Sequence, residues 1–456
     1  MNILNSSPTA PGSIKKLPLS SQFSEPHIIV GSFLAVLIPG ALLLTLPVFS
    51  VSGLSFTDAL FTATSAISVT GLGVVDTGAH FTLSGKILLM LLMQIGGLGQ
   101  MTLSAVLIYL FGLRMSLKQQ SLAKEALGQN KQIDIRKLVI AIAIFSFSAE
   151  AIGTIFLSFR LVPQLGLGEG VFNALFHAVS AFNNAGFSLF TDNFISYADD
   201  PLVILTLAAL FISGGLGFTV VADMCKNRKG GFKKLKLHSK IMLVGTPALL
   251  IVGTLLIWLL ERNNPSTLGH ASLTDQWLMA FFQSATARTA GFNSIDIGKM
   301  TEPALLVMIV LMLIGAGPTS TGGGIKVSTF VVSLLATRAF LRQEKNVTAF
   351  KRTVAWPTVT KAMAIVVVSG IVLTLAMFAL MLTEKAPFDR IMFETISAFA
   401  TVGLTAGLSS HLTEAGKIIL IVVMIIGRIG PLTLAYMLSK PKQSALKYPE
   451  DSVLTG

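Results

Sequence analysis

Cysteine is nearly missing from this chain. Cys225 is the single one in 456 residues, so no internal disulfide can form and a cysteine-based metal cluster is excluded. Charge is scarce as well: Asp, Glu, Lys and Arg make up 12% of the sequence and hydrophobic residues 52%, against roughly 25% charge in soluble domains. So little charge cannot cover a chain with water-compatible surface, and it reads as an integral membrane protein. The start is polar for about 26 residues, which does not fit a cleaved signal peptide with its apolar region close behind a basic start. Catalytic sets are absent too. Away from their ends, the apolar segments hold only the isolated Glu150, Lys326 and Arg428, where an intramembrane enzyme needs a paired aspartate, serine–histidine or metal constellation. Gly315–Lys326 (GAGPTSTGGGIK) begins like a phosphate-binding loop at Gly317-x4-Gly322. Gly323 then stands in the lysine's place, and no βαβ context surrounds it.

What is present is eight long apolar segments, at about 27–49, 84–112, 136–162, 200–224, 239–260, 303–338, 360–383 and 413–438. Each can cross a hydrocarbon core that takes roughly 20 helical residues, the sixth only with an interruption at Gly315–Lys326. Lys and Arg gather in alternate connections. With their flanks, the two tails and residues 113–137, 225–240 and 338–361 carry 24 basic residues and a net charge of +17, while the other four connections carry a net −6. This bias puts both termini in the cytoplasm and the acidic connections outside. The basic loops serve topology or dock a cytoplasmic partner; their placement gives no reason to invoke nucleic acid.

Each outer connection contains a second apolar stretch too short to span, and the four align: FTATSAISVTGL from Phe61, FHAVSAFNNAGF from Phe176, FFQSATARTAGF from Phe281 and FETISAFATVGL from Phe393. Ser65, Ser180 and Ser397 share one offset, and the third unit has Ala285-Thr286 instead. The glycines Gly71, Gly186, Gly291 and Gly403 lie 115, 105 and 112 residues apart, which is internal repetition. The register continues into the next span, through Gly96, Gly214, Gly315 and Gly427 and then Gly99, Gly217, Pro318 and Gly430. Gly96, Gly99, Gly214 and Gly217 read as tight-packing positions. The expected fold is therefore an all-α membrane protein of four linked span–short helix–turn–span units, with eight transmembrane helices in pseudo-fourfold arrangement around one pore. Its boundaries are tail 1–26, unit one 27–112, loop 113–135, unit two 136–224, loop 225–238, unit three 239–338 with the interruption at 315–326, loop 339–359, unit four 360–438 and tail 439–456.

Irregular backbone inside a membrane is tolerated when it is buried in protein or lines a watery cavity. Four glycine turns facing one axis would make that cavity themselves. Glycine's conformational range lets successive carbonyls face the axis, and a ring of carbonyl oxygens can replace an alkali cation's hydration shell. Asp58, Glu169, Asp275 and Asp389 stand near the starts of the short helices, where acid suits a helix N-terminus, leaving the negative ends toward the cavity. The phenylalanines read as packing residues and His177 as a helix-face residue.

Thr401-Val402-Gly403 resembles the T-V-G core of potassium-channel filters, and the fourfold unit resembles the Trk/Ktr/HKT superfamily over about residues 27–438. The eight-span length looks most like the membrane subunit of bacterial Ktr-type potassium uptake systems. The resemblance implies potassium uptake, with one filter glycine per turn at Gly71, Gly186, Gly291 and Gly403. Only Thr401–Gly403 matches the channel motif well; Val69-Thr70, Asn184-Ala185 and Thr289-Ala290 depart from it, and a filter this unequal should offer fewer well-formed ion sites. The resemblance also implies a homodimer in the bacterial cytoplasmic membrane with one pore per protomer, lipid around it, and cytoplasmic regulator-of-conductance subunits that bind ATP or ADP. It implies potassium as substrate, sodium as an activator and no covalent cofactor.

The interruption now has a place. Its flanking runs Pro303–Gly315 and Val327–Ala339 are each too short to cross alone, and Pro318 and the glycines weaken helix between them. Its unpaired backbone would need water, so it should border the ion path below the third turn. Gly315, Ala316, Gly317, Pro318, Thr319, Ser320, Thr321, Gly322, Gly323, Gly324 and Lys326 would form a strap able to block the pore, and the resemblance assigns that loop the gate. Arg428 has two readings: a structural ion pair with Glu150, or a positive barrier beneath the filter. Arg288 reads as a strut paired behind it. A secondary transporter built on broken helices is the main alternative, although such proteins mostly show twofold inverted repeats.

Overall fold

The computed structural model describes residues 25–99 and 135–431. Residues 1–24 and 439–456 of the expected tails, 113–134 of the loop and the far ends of the spans 84–112 and 413–438 lie outside the described residues. Within them, each unit has an incoming helix, a short helix and an outgoing helix. The incoming helices are Glu25–Leu44, Ile135–Leu165, Leu237–Glu261 and Trp356–Thr383. The short helices are Phe56–Ser68, Leu167–Phe182, Leu273–Thr286 and Phe388–Ala400. Outgoing chain follows at Leu83–Gly97, Pro201–Leu216, Glu302–Leu313 and Glu414–Ile429.

Polar caps set where these helices begin. Ser55 accepts from Asp58 N at 3.1 Å and donates back to its carboxylate at 2.8 Å, and Ser272 and Asp275 repeat the exchange. Thr82, Asp200 and Thr413 cap the outgoing helices of units one, two and four. All four acids expected near the short-helix starts lie in the first turn.

Each short helix packs on its own incoming helix and on the outgoing helix of the preceding unit. Leu83–Gly97 rests on Leu167–Phe182, Pro201–Leu216 on Leu273–Thr286, Glu302–Leu313 on Phe388–Ala400, and Glu414–Ile429 returns to Phe56–Ser68. Small residues allow the approach. A Cβ on Gly96, Gly214 or Gly427 would strike the carbonyl oxygen of Ile67, Phe182 or Phe399, each four residues before its turn glycine. Phe61, Phe176 and Phe393 are fully buried, as packing residues should be; in the third unit the buried ring is Phe282, beside a half-buried Phe281.

Among the described residues three helices, Val139–Leu165, Leu237–Glu261 and Trp356–Thr383, are long and apolar enough to cross a membrane alone. The span expected at 200–224 is not continuous: Pro201–Leu216 and Phe218–Lys226 meet at 89°. Gly217 makes the bend at φ +94°, with the Pro318 carbonyl where a Cβ would sit. Gly99 and Gly430 also have positive φ, 80° and 95°, and the space around Gly99 is open. So Gly99 ends a helix without packing it, while Gly217 both ends a helix and packs tightly, against the loop's Pro318 carbonyl rather than another helix. The sixth segment is halved as expected, into Glu302–Leu313 and Val327–Leu341. A two-stranded hairpin, Thr348–Ala349 with Arg352–Thr353, departs from the all-helical expectation.

Candidate functional site

The short helices lead into turns of one conformation. Two residues before each turn glycine the backbone is left-handed, with φ 57° at Val69, 58° at Asn184, 75° at Thr289 and 50° at Thr401. The glycines follow at 91°, 69°, 81° and 91°, while Thr70, Ala185, Ala290 and Val402 between them are not left-handed. For the β-branched Val69, Thr289 and Thr401 this is a rare state costing about 1–3 kcal/mol each, so the surroundings must impose it.

The four turn glycines form a closed circuit. A Cβ added to Gly71 would come within 3.0 Å of the Ala185 oxygen, and one on Gly186 within 3.0 Å of the Ala290 oxygen. Gly291 meets the Val402 oxygen and Gly403 the Thr70 oxygen in the same way, which returns to the first turn. Only glycine leaves room for that carbonyl. The amides point elsewhere: Gly71 N donates to Ser65 Oγ at 3.0 Å, and Gly403 N to Ser397 Oγ at 3.1 Å. This gives the repeated serine a role that its offset alone did not reveal. Ser180 instead donates to Phe187 O at 2.8 Å, and Ala285 has no hydroxyl to offer.

Support behind the turns differs by unit. Glu394, fully buried, accepts from Thr405 Oγ1, Leu408 N (3.2 Å), Ser409 N (3.3 Å) and Ser409 Oγ (2.9 Å), gathering the segment after the fourth turn. His177 stands at the same repeat position. It is not on an open helix face but fully buried, donating from Nδ1 to Asn173 O at 2.8 Å and accepting Leu189 N on Nε2 at 3.1 Å. The third unit has Phe282 there and uses Gln283; with its side-chain amide oxygen assigned toward the exit segment, it accepts from Ser294 N and Ile295 N. Sequence reasoning passed over Glu394 and Gln283; the signal was a polar residue within an otherwise apolar short helix.

The interruption runs beneath these turns. Ile314 pairs with Ile325, and Gly315 N donates to Ile325 O at 2.9 Å, closing the loop's neck. Gly317 N reaches Gly215 O at 2.8 Å, Phe218 N takes Thr319 O at 3.1 Å, and Ser320 Oγ donates to Gly317 O at 2.6 Å. Lys326 Nζ donates to the Gly322 and Gly323 carbonyls. Much of the loop backbone is thus paired within the protein, contrary to the expectation that it needs water; neighbouring chain and one lysine supply the partners. Gly322 lies against the Thr289 side chain, Gly323 against Thr401 and Gly324, at φ +66°, against Ala400. Ala316 and Pro318 complete the strap, held beside Gly215 and Gly217.

Arg428 does not pair with Glu150. Its guanidinium donates to Thr321 O in the loop and to Gly96 O in the first unit. Glu150 instead accepts from Gln94 Nε2 and Ser146 Oγ, both at 2.9 Å, and from Asn183 Nδ2 at 3.2 Å. The carboxylate is held by neighbouring amide and hydroxyl donors, and the arginine by one loop carbonyl and one carbonyl at a helix end. Arg288 is buried without an ion pair among the described residues, and its Nε has no partner, so the expected paired strut is not seen.

The TrkH family, described as "Cation transport protein", matches residues 15–448. The Ktr system potassium uptake protein B of Vibrio alginolyticus is 70% identical over 432 residues, covering 95% of each chain. The protein of that name from Bacillus subtilis is 48% identical over 95% of this chain and 97% of its own. The potassium/sodium uptake protein NtpJ of Enterococcus hirae is 37% identical over 97% and 100%. In fold, the chain is similar to the crystal structure of the potassium transporter TrkH from Vibrio parahaemolyticus, with TM-score 0.73 at 19% identity over 92% of this chain and 86% of that one.

Proposed function

The chain belongs to the TrkH family of cation transport proteins, and from that premise we propose that it takes up potassium through a pore lined by main-chain oxygens. The observation that carries this reading is the circuit of Gly71, Gly186, Gly291 and Gly403, each facing the carbonyl before the next glycine. Four linked units in pseudo-fourfold arrangement, with eight spans, bring those turns to one axis. Thr70, Ala185, Ala290 and Val402 then supply oxygens in place of hydration, with Val69, Asn184, Thr289 and Thr401 on the loop side. Serine hydroxyls hold the amides of Gly71 and Gly403 back, so in the first and fourth turns the ring presents negative rather than positive dipole ends to a cation. The C-terminal ends of the short helices add to that preference.

The loop Gly315–Lys326 is the gate in this reading, since its glycines lie directly against the side chains of Thr289 and Thr401. Arg428 serves as both barrier and clamp. The membrane subunit works as a homodimer in a bacterial cytoplasmic membrane with both termini inside. It is regulated by nucleotide-binding subunits on its basic loops and activated by sodium. The relatives named for the Ktr system support the partner assignment. A second reading, passage of sodium as well as potassium, is favoured by the unequal turns and by the name of the Enterococcus relative.

Rubidium uptake into vesicles carrying the full chain, with and without competing sodium, tests the proposal. Uptake no faster than in empty vesicles overturns it. Deleting Thr319–Gly323 should raise flux, and unchanged flux removes the gate assignment. Arg428→Gln should raise it as well.

A further inference from the structure

The four equivalent positions on the loop side of the ring are Val69, Asn184, Thr289 and Thr401, and they are not equivalent in chemistry. Val69 has no polar atom to offer. Thr401 Oγ1 is buried without a partner. Asn184 alone reaches in two directions: its Oδ1 accepts from Thr321 Oγ1 of the loop at 2.8 Å, and its Nδ2 donates to Thr289 Oγ1 of the third turn at 3.3 Å. Thr321, Asn184 and Thr289 are all at most 1% exposed. Thr321 is also the loop's most heavily tied residue, because its N donates to Gly214 O at 3.4 Å and its carbonyl accepts from Arg428.

We propose that Asn184 is a positioning residue that couples the loop to the ring, through the chain Thr321 hydroxyl, Asn184 amide, Thr289 hydroxyl. The proposal rests on reading the turns as the filter and the loop as the gate. When the loop withdraws, Thr321 leaves, and Asn184 Oδ1 loses its donor in a buried site. A buried oxygen left unpaired is costly, and the group able to replace the lost hydrogen bond is a cation or its water entering below the ring. Loop and cation therefore compete for one oxygen. The same withdrawal frees the amide that steadies Thr289, so opening changes the shape of the second and third turns. Asparagine suits the post, since it tolerates the left-handed backbone and carries both a donor and an acceptor.

The test uses the full chain in vesicles, with rubidium uptake and the rubidium-to-sodium preference as separate readouts. Thr321→Val removes the hydroxyl at nearly constant shape. Loss of one hydrogen bond that holds the closed loop should raise resting rubidium uptake about fivefold. It should also shift the rubidium-to-sodium preference by about threefold or more, although Thr321 lies outside the ring. Thr321→Ser, which keeps the hydroxyl, should return both readouts toward the unsubstituted protein. Asn184→Ala should shift the preference too, and combining it with Thr321→Val should add little. Flux that rises in Thr321→Val with preference unchanged overturns the coupling, as does a Thr321→Val protein unchanged in both. The deletion of Thr319–Gly323 separates the two levels: unchanged flux there sinks the gate reading itself, whereas raised flux beside an inert Thr321→Val sinks only the role of Asn184. Should Asn184→Ala fail to fold, the Thr321 pair of variants still decides.

Discussion

The third and fourth units start alike and finish differently. Both turns place a threonine in the left-handed region two residues before a left-handed glycine. In the fourth, Ser397 takes the glycine amide, Glu394 gathers the exit segment, and the outgoing helix runs unbroken through Glu414–Ile429. In the third, Ala285 has no hydroxyl, Gln283 takes over the exit amides, and the outgoing chain breaks after Leu313 into the loop. The same backbone is thus reached with different side-chain supports. The shared part carries the shared chemistry, and the unshared part marks where one unit does something the others do not.

The largest expected effect breaks the shared part. Gly403→Ala and Gly291→Ala each drive a Cβ into a neighbouring carbonyl at a backbone angle that alanine resists. Rubidium uptake should fall to background in both, while Gly370→Ala, whose surroundings are open, should transport normally. Next comes the support that differs. Glu394→Ala strands several donors in a buried site and should cost about 3 kcal/mol, against about 1–2 kcal/mol for Gln283→Ala; thermal melting in detergent measures both. Equal losses would mean that the exit segments are anchored by something other than these side chains. Ser397→Ala should cost about 1 kcal/mol and weaken the preference for rubidium over sodium, and Ser65→Ala should match it because both serines hold a turn-glycine amide. The smallest effect lies at the closure of the fourth unit on the first. Lys417 meets Asp58 at 2.6 Å at a partly exposed site, so Lys417→Ala should change stability by about 0–1 kcal/mol, less in high salt.

The repeat was legible because it is local. A phenylalanine, a glycine ten residues on and the charge alternation around them survive in the linear chain, and they located every turn. The bounds of the interruption were legible for the same reason, since glycine and proline weaken helix wherever they stand. The bend at Gly217 was not: a glycine in an apolar run reads as a packing position, and the Pro318 carbonyl that occupies its Cβ place comes from another unit. Of the two readings of Arg428, the ion pair with Glu150 fails: a carboxylate is the obvious mate for an arginine in sequence, whereas the backbone oxygens it meets carry no sequence label.

Periodicity and composition alone determined an apolar, fourfold-repeated chain with a glycine turn in each unit, because burial pattern and backbone freedom are properties of neighbouring residues. Tertiary structure alone decided that each glycine faces the next unit's carbonyl and that Asn184 meets Thr321 across 137 positions. Those pairings depend on which surfaces the packed helices press together, and no local signal encodes that.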